Sequence, residues 1–201
     1  MDKAGGNERI DRVRAAVFAA TQDELVDHGY DGLSVEGVAR RAGVPEHVVT
    51  ERWTDADALM ELMLEEFAEH VLVLPNSGSL ETDMRALAAG IAAFYGDPRP
   101  RATISALVHA AGCSERAAET LRRFFEHRTA SAAEPVRRAI ANRELPPDTD
   151  PVEVIRALGA PFYYRMFITH EPLDHALAER TAAATLAAAR AGVLTSSRVP
   201  A

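Results

Sequence analysis

The 201-residue chain predicts an all-α protein of about nine helices, and two observations carry that prediction. Apolar residues recur at spacings of three and four along its whole length, and no segment sustains the period-two alternation of a half-buried strand. A hydrophobic content of 47% supports burial, enough for one good core or for a small domain joined to a larger one.

Helix 1 is predicted over about 7–28, with Ile10, Val13, Val17 and Ala20 on one face and Gly29 as a left-handed terminator. Ser34 caps helix 2, Glu36 lies in its first turn and Gly43 ends it. Pro45 opens helix 3, since proline suits a first helical turn. Thr54 or Asp55 caps helix 4, where Leu59, Met63, Phe67 and Val71 keep the helical period. The stretch "LPNSGSL", 74–80, is the first clear linker. Beyond it the pattern predicts helix 5 at about 80–95, helix 6 at about 99–111 and a long helix 7 at about 114–143, interrupted near Pro135. After "LPPDTD" come helix 8 at about 151–170 and helix 9 at about 174–192, separated by "HEPLD". The expected organisation is a reader domain at 1–53, a connecting helix at 54–74, a larger domain at 75–195 and a flexible tail at 196–201.

The net charge of -8 argues against a protein that coats nucleic acid nonspecifically, because such proteins carry a basic surface. Recognition confined to one face stays open. Lys3 is the one lysine among 22 basic residues, a codon bias toward G and C that says nothing about chemistry. No run approaches the ~20 apolar residues of a membrane span, and "MDKAGGNERIDR" lacks the apolar stretch of a signal peptide. Cys113 stands alone, so no intrachain disulfide can form. The expected location is the cytoplasm. The chain carries no Gly-x-Ser-x-Gly, phosphate loop, dinucleotide fingerprint or metalloprotease His-Glu pairing. Glu66 with His70, and Asp174 with His175, are acid-histidine neighbours without an evident third ligand. Neither catalysis nor a cofactor is expected.

The chemistry concentrates in "ARRAGVPEHVVTERW", 39–53. Val35, Val38, Ala39 and Ala42 before Gly43, and Val44 and Val49 after it, place small or β-branched groups where two short helices must touch. This is the spacing of a helix-turn-helix. Its second helix would expose Glu46, His47, Thr50 and Glu51 while Val49 and Trp53 turn inward, the geometry of a recognition helix in the major groove. The expected DNA-facing residues are Ser34, Arg40, Arg41, Pro45, His47, Val48, Thr50 and Arg52. Arg40 and Arg41 end helix 2 within reach of the backbone, Arg12 and Arg14 flank the same region, and Ser34 offers a hydroxyl and its helix N-terminus to a phosphate.

The segment from "RVRAAVFAATQDELVDHGY" through "LSVEGVARRAGVPEHVVTERW" to "ALMELML" resembles the TetR family of one-component bacterial regulators. "GAPFYYRMFITHEPLD", 159–174, looks like the penultimate-helix motif of one TetR ligand-domain subgroup. The resemblance implies a repressor released from a double-stranded DNA operator by a small amphipathic molecule, a ligand cavity among helices 4 to 8, and a homodimer through helices 8 and 9. The alanine-rich face of helix 9 (Ala176, Ala183, Ala187, Ala191) would permit close helix approach. The chain departs from the family at Thr50, where a tyrosine is usual, and at Ala56, where a lysine is usual; both usual residues touch phosphates.

Residues 1–53 carry seven basic side chains against ten acidic ones, a net of -3, so phosphate neutralisation should be thin and binding salt-sensitive. Asp23, Glu24, Asp27 and Asp31 gather at the far end of helix 1, away from the groove, and Glu46 lies where the helix dipole favours a carboxylate. Glu51 can accept from a cytosine amino group or pair with Arg52. A second reading stays open: a helical ligand- or protein-binding module whose DNA-binding activity has degenerated.

Aromatics are 6% of the chain but gather in its second part as Phe94-Tyr95, Phe124-Phe125, Phe162-Tyr163-Tyr164 and Phe167. Such helices either pack a plain core or enclose a mostly apolar cavity with a few polar groups. The expected ligand contacts are Phe67, Phe94, Leu107, Phe125, Arg128, Tyr163 and Phe167.

Overall fold

The computed structural model describes residues 3–69 and 75–195, with side chains from 10 to 67 and from 75 to 195. His70, Val71 and the tail at 196–201 lie outside the described residues. Among those described, ten α-helical segments and one wider helical turn account for the regular structure, and the only strand-like feature is an isolated bridge between Thr149 and Thr195.

The helices are α1 (Lys3–His28), α2 (Val35–Ala42), α3 (Glu46–Thr50), α4 (Ala56–Glu69), α5 (Leu80–Gly96), α6 (Pro98–Cys113), α7 (Glu115–Ala132), α8 (Glu134–Ala141), α9 (Pro151–Tyr164) and α10 (His175–Arg190). The predicted helix 7 is thus α7 and α8, divided where Pro135 takes a first-turn position in α8. Predicted helices 8 and 9 correspond to α9 and α10. α9 does not run on to 170 as an α-helix: four residues after Pro161 the backbone widens into a π-helical turn, Arg165–Thr169, which ends at His170 in the left-handed region (φ 53°). Apolar spacing cannot separate the two forms, because Phe162 and Met166 lie four apart and are buried in both.

Of the caps expected from sequence, Ser34 forms, and at α4 Asp55 rather than Thr54 accepts the Ala58 N–H at 2.8 Å; three further caps join them. Ser34 accepts the Gly37 N–H, Ser79 that of Thr82, Asp150 those of Val152 and Glu153, and Asp174 that of Leu177. Gly29 (φ 67°) and Gly43 (φ 65°) hold the left-handed turns that close α1 and α2.

The chain divides into two compact units that are not contiguous in sequence. The first joins α1 to α4 with Pro98–Phe124, that is, α6 and most of α7. α2, α4 and α6 all pack on α1, around Val17, Leu25, Val38, Leu59, Met63 and Ile104. The second contains α5, the end of α7, and α8 to α10. Its core is the α5–α10 pair, closed by α8 and α9, with Met84, Leu87, Ala88, Leu158, Phe162 and Ala182 at 2% exposure or less. Asp83, 2% exposed, accepts from Ser77 N–H and Oγ (2.9 and 2.7 Å) and from Arg138 (3.2 Å), fixing the segment before α5 to the second unit.

Candidate nucleic-acid interface

α2, the Gly43 turn and α3 form one rigid hairpin. The Val44 N–H returns to the Ala39 carbonyl at 3.1 Å, and the N–H groups of Val48 and Val49 return to that of Pro45. Val38 and Val49 are fully buried, Ala39 is 3% exposed and Trp53 8%, so both helices and the residue after them anchor in one core. Pro45 is the N-cap of α3 rather than its first helical residue, with φ -56° set by its ring. The opposite face of α3 presents Glu46, His47, Thr50, Glu51 and Arg52 to solvent, while Val48 is half-buried. Thr50 Oγ1 donates to the Glu46 carbonyl at 2.8 Å, so its remaining capacity is to accept.

The cations expected at the phosphates divide into two groups. Arg40 and Arg52 are exposed and without an ion pair among the described residues. Arg41 is held: its Nε donates to Glu24 Oε1 and its Nη2 to Asp27 Oδ2, both at 2.7 Å. Arg14 is likewise bound to Glu66 (2.6 Å) and Glu65 (3.3 Å) on α4. The expectation that Arg41 ends α2 with its charge directed at the backbone therefore meets two carboxylates that already accept from it. Ser34 remains exposed, but its oxygen already serves as the α2 cap.

Each carboxylate at the far end of α1 has a cationic partner or a histidine. Glu24 lies against Arg41 and 3.3 Å from His28, Asp27 against Arg41, Asp23 2.9 Å from Arg99, and Asp31 3.3 Å from His109. These acids, expected from the sequence to lie away from the groove, bind α1 and the turn after it to α2 and α6, with Arg41 and Arg99 as their guanidinium partners. Tyr30, in the turn after α1, donates to Asp57 Oδ1 at 2.6 Å, and its ring meets that of His109 at 5.8 Å. The bond to Asp57, then burial, pushes its phenol up to about 12. The sequence marks Glu24 and Asp27 as part of an acidic cluster but not their bonds to Arg41, and it does not mark the Tyr30–Asp57 pair. One signal was available: Gly37, a poor helix former, in the middle of an eight-residue helix.

Of the residues expected to meet a ligand, five gather in the second unit. Tyr163 is the hub: its ring lies 5.7 Å from Tyr95, 5.4 Å edge-on to Phe125 and 6.4 Å from Phe167 in a stacked arrangement. Phe94 packs edge-on against Tyr95, and the Arg128 guanidinium lies 5.4 Å above the Phe94 ring. The two phenol oxygens approach to 3.4 Å, and burial pushes both phenols up, so they act as neutral donors and acceptors. The other two belong to the first unit. Phe67 packs edge-on against Phe18, and Leu107 lines a small cleft, partly open to solvent, with Met60, Leu64 and Ala110.

Among the described residues no group of three His, Cys, Asp or Glu could hold a metal, and no helix is long and apolar enough to cross a membrane. Glu66 is bound to Arg14 and Asp174 caps α10. Cys113 is exposed at the end of α6.

Comparison with known proteins adds the lineage. Residues 74–185 match the family model described as "Tetracyclin repressor-like, C-terminal domain". The chain is 27% identical over 175 residues to the uncharacterized HTH-type transcriptional regulator YdeS of Bacillus subtilis, covering 87% of this chain and 88% of that one. It is 27% identical to the regulator AqdR of Rhodococcus erythropolis, over 81% of this chain and 77% of that one. A solved structure of a TetR-family member from Streptomyces coelicolor, 23% identical, has the same fold, with a TM-score of 0.65 over 86% of this chain and 97% of that one.

Proposed function

The chain belongs to the TetR family of DNA-binding transcriptional regulators, and from that premise we propose that it is a cytoplasmic repressor released from its operator when a small amphipathic molecule enters the second unit. The reading is supported above all by α3, whose polar face is open to solvent on a frame with Val38, Val49 and Trp53 at 8% exposure or less. The five-residue aromatic cluster around Tyr163 supports the ligand half, since it joins apolar ring faces to two neutral hydroxyls and a cation.

The active species is a homodimer through α9 and α10. Ala176, Ala183, Ala187 and Ala191 are exposed on and just beyond α10, and Tyr164 (58%) at the end of α9 and Ile168 (65%) in the π-helical turn after it are large exposed groups. Two-fold symmetry then sets two reading helices about 34 Å apart on a partly palindromic site. The second reading, a binding module with degenerate DNA affinity, draws on the pairing of Arg14 and Arg41 with carboxylates.

Genomic fragments captured by the purified protein are sequenced, and the enriched site is used in gel shifts at low salt while apolar compounds that raise the melting temperature are titrated in. A two-fold symmetric site, released with a coupling of roughly 1–3 kcal/mol, is the expected result. No shift at low salt selects the second reading, and compounds that stabilise the protein without releasing DNA overturn the effector half.

A further inference from the structure

We propose that Arg41 is a positioning residue: with Glu24 and Asp27 it forms an ionic brace that sets the angle of α2, and through it α3, against α1, and it does not contact the DNA backbone. This rests on the reading that α3 enters the groove.

Glu24 is 4% exposed, and a buried carboxylate without partners would be costly. It has them on two sides. Its Oε1 accepts from Arg41 Nε, and its Oε2 faces His28 Nδ1 at 3.3 Å. The same Oε2 lies 3.0 Å from the point where a Cβ on Gly37 would stand. Gly37 and Arg41 are four residues apart and so share one face of α2. The missing side chain at one lets the helix close on Glu24, and the guanidinium at the other grips it. Arg41 reaches on to Asp27, one turn further along α1, with its second nitrogen at 2.7 Å. A planar fork with Nε and Nη2 on different carboxylates fixes direction as well as distance, which an ammonium cannot do.

Charge gives the second half of the argument. One guanidinium facing two carboxylates leaves the brace net negative, so bringing it to a phosphate would release no counterion. Arg40, the preceding residue, is exposed and without an ion pair among the described residues, and it is the α2 cation suited to the backbone.

The test compares Arg41→Gln, Arg41→Lys, Glu24→Gln, the double Gln variant and Arg40→Gln in the full-length protein. Affinity for a captured genomic site is measured across a salt series, at temperatures where Trp53 emission shows each variant fully folded. Arg41→Gln should lose affinity, on the order of tenfold for a buried carboxylate left unmatched, with the dependence of log K on log salt unchanged. Arg41→Lys should lose nearly as much. The double Gln variant, which pairs two neutral amides, should recover most of the loss. Arg40→Gln should flatten the slope by about 0.9 per protomer. The proposal is overturned if Arg41→Gln flattens the slope as Arg40→Gln does, if Arg41→Lys binds like the wild type, or if folded Arg41→Gln keeps full affinity. If the wild-type protein binds no DNA, the groove reading has failed instead. The brace is then judged from melting temperatures, where additive effects of Glu24→Gln and Arg41→Gln would refute it.

Discussion

The seam between α1 and α2 in the first unit and the seam between α5 and α10 in the second solve one problem with opposite chemistry. Both must hold two helices at a fixed angle. α5 and α10 do so with Met84, Leu87 and Ala88 against Ala178, Ala182 and Leu186, groups that attract at any orientation and owe their geometry to shape alone. α1 and α2 meet around a buried carboxylate, a guanidinium and a helical glycine, where geometry is set by bond direction. An apolar seam tolerates volume-conserving exchange, which under the proposed function suits a unit that repacks around a ligand. A directional seam tolerates little, which under the proposed function suits a helix that must meet base edges within a fraction of an ångström.

Variants in each unit should break this comparison if it is wrong. The largest effect is expected from Phe162→Ala in the second unit, where a fully buried ring is lost. About 3–5 kcal/mol of stability should go with it, read from denaturant unfolding. A loss below about 1 kcal/mol would mean that the second core is loosely packed.

Next is Tyr30→Phe, which removes the bond to Asp57 at a half-exposed position and should cost about 1.5 kcal/mol. The same variant has a pH signature. The Tyr30 phenol is raised from 10.0 to about 12 in the fold, so its contribution is complete below pH 10 and disappears as pH climbs toward about 12. Wild-type protein should therefore lose stability relative to Tyr30→Phe across that alkaline interval. Parallel curves would show that the Tyr30–Asp57 bond is not maintained.

The smallest net effect, and the sharpest test of the directional seam, is Gly37→Ala. Alanine should favour the helix by about 1 kcal/mol. Its methyl would stand 3.0 Å from both Glu24 Oε2 and Ser34 Oγ, with overpacking worth about 1–3 kcal/mol. A net loss near 1 kcal/mol, with weaker DNA binding, is the expected balance in chemical denaturation and gel shifts. A more stable variant with unchanged DNA affinity would show that Glu24 yields freely and that the brace sets no angle.

The sequence discloses whatever depends on local repetition. Helix order, the Ser34 cap, the Gly43 turn and the inward set Val38, Val49 and Trp53 all follow from spacings of a few residues, and so does the exposed face of α3. It conceals what depends on distant partners. Arg40 and Arg41 are adjacent and chemically identical, and only the fold, by bringing in Glu24 from 17 residues away, gives them different surroundings. The proposed ligand set has the same limit, because Phe67 and Leu107 carry helical spacing as good as that of Phe125 and Tyr163 yet belong to the other unit. The widened turn at Arg165–Thr169 left no mark in apolar periodicity at all.

Cys113 has a consequence for how the molecule can be watched. It is the chain's single thiol and is exposed at the end of α6, while Trp53, the single indole, is buried after α3. Unaltered protein therefore accepts one thiol-directed acceptor dye per chain, with a natural energy donor fixed just after α3. Transfer efficiency between them reports rearrangement within the first unit in real time. The wild-type sequence thus carries both a donor and an attachment point for ensemble energy-transfer measurements.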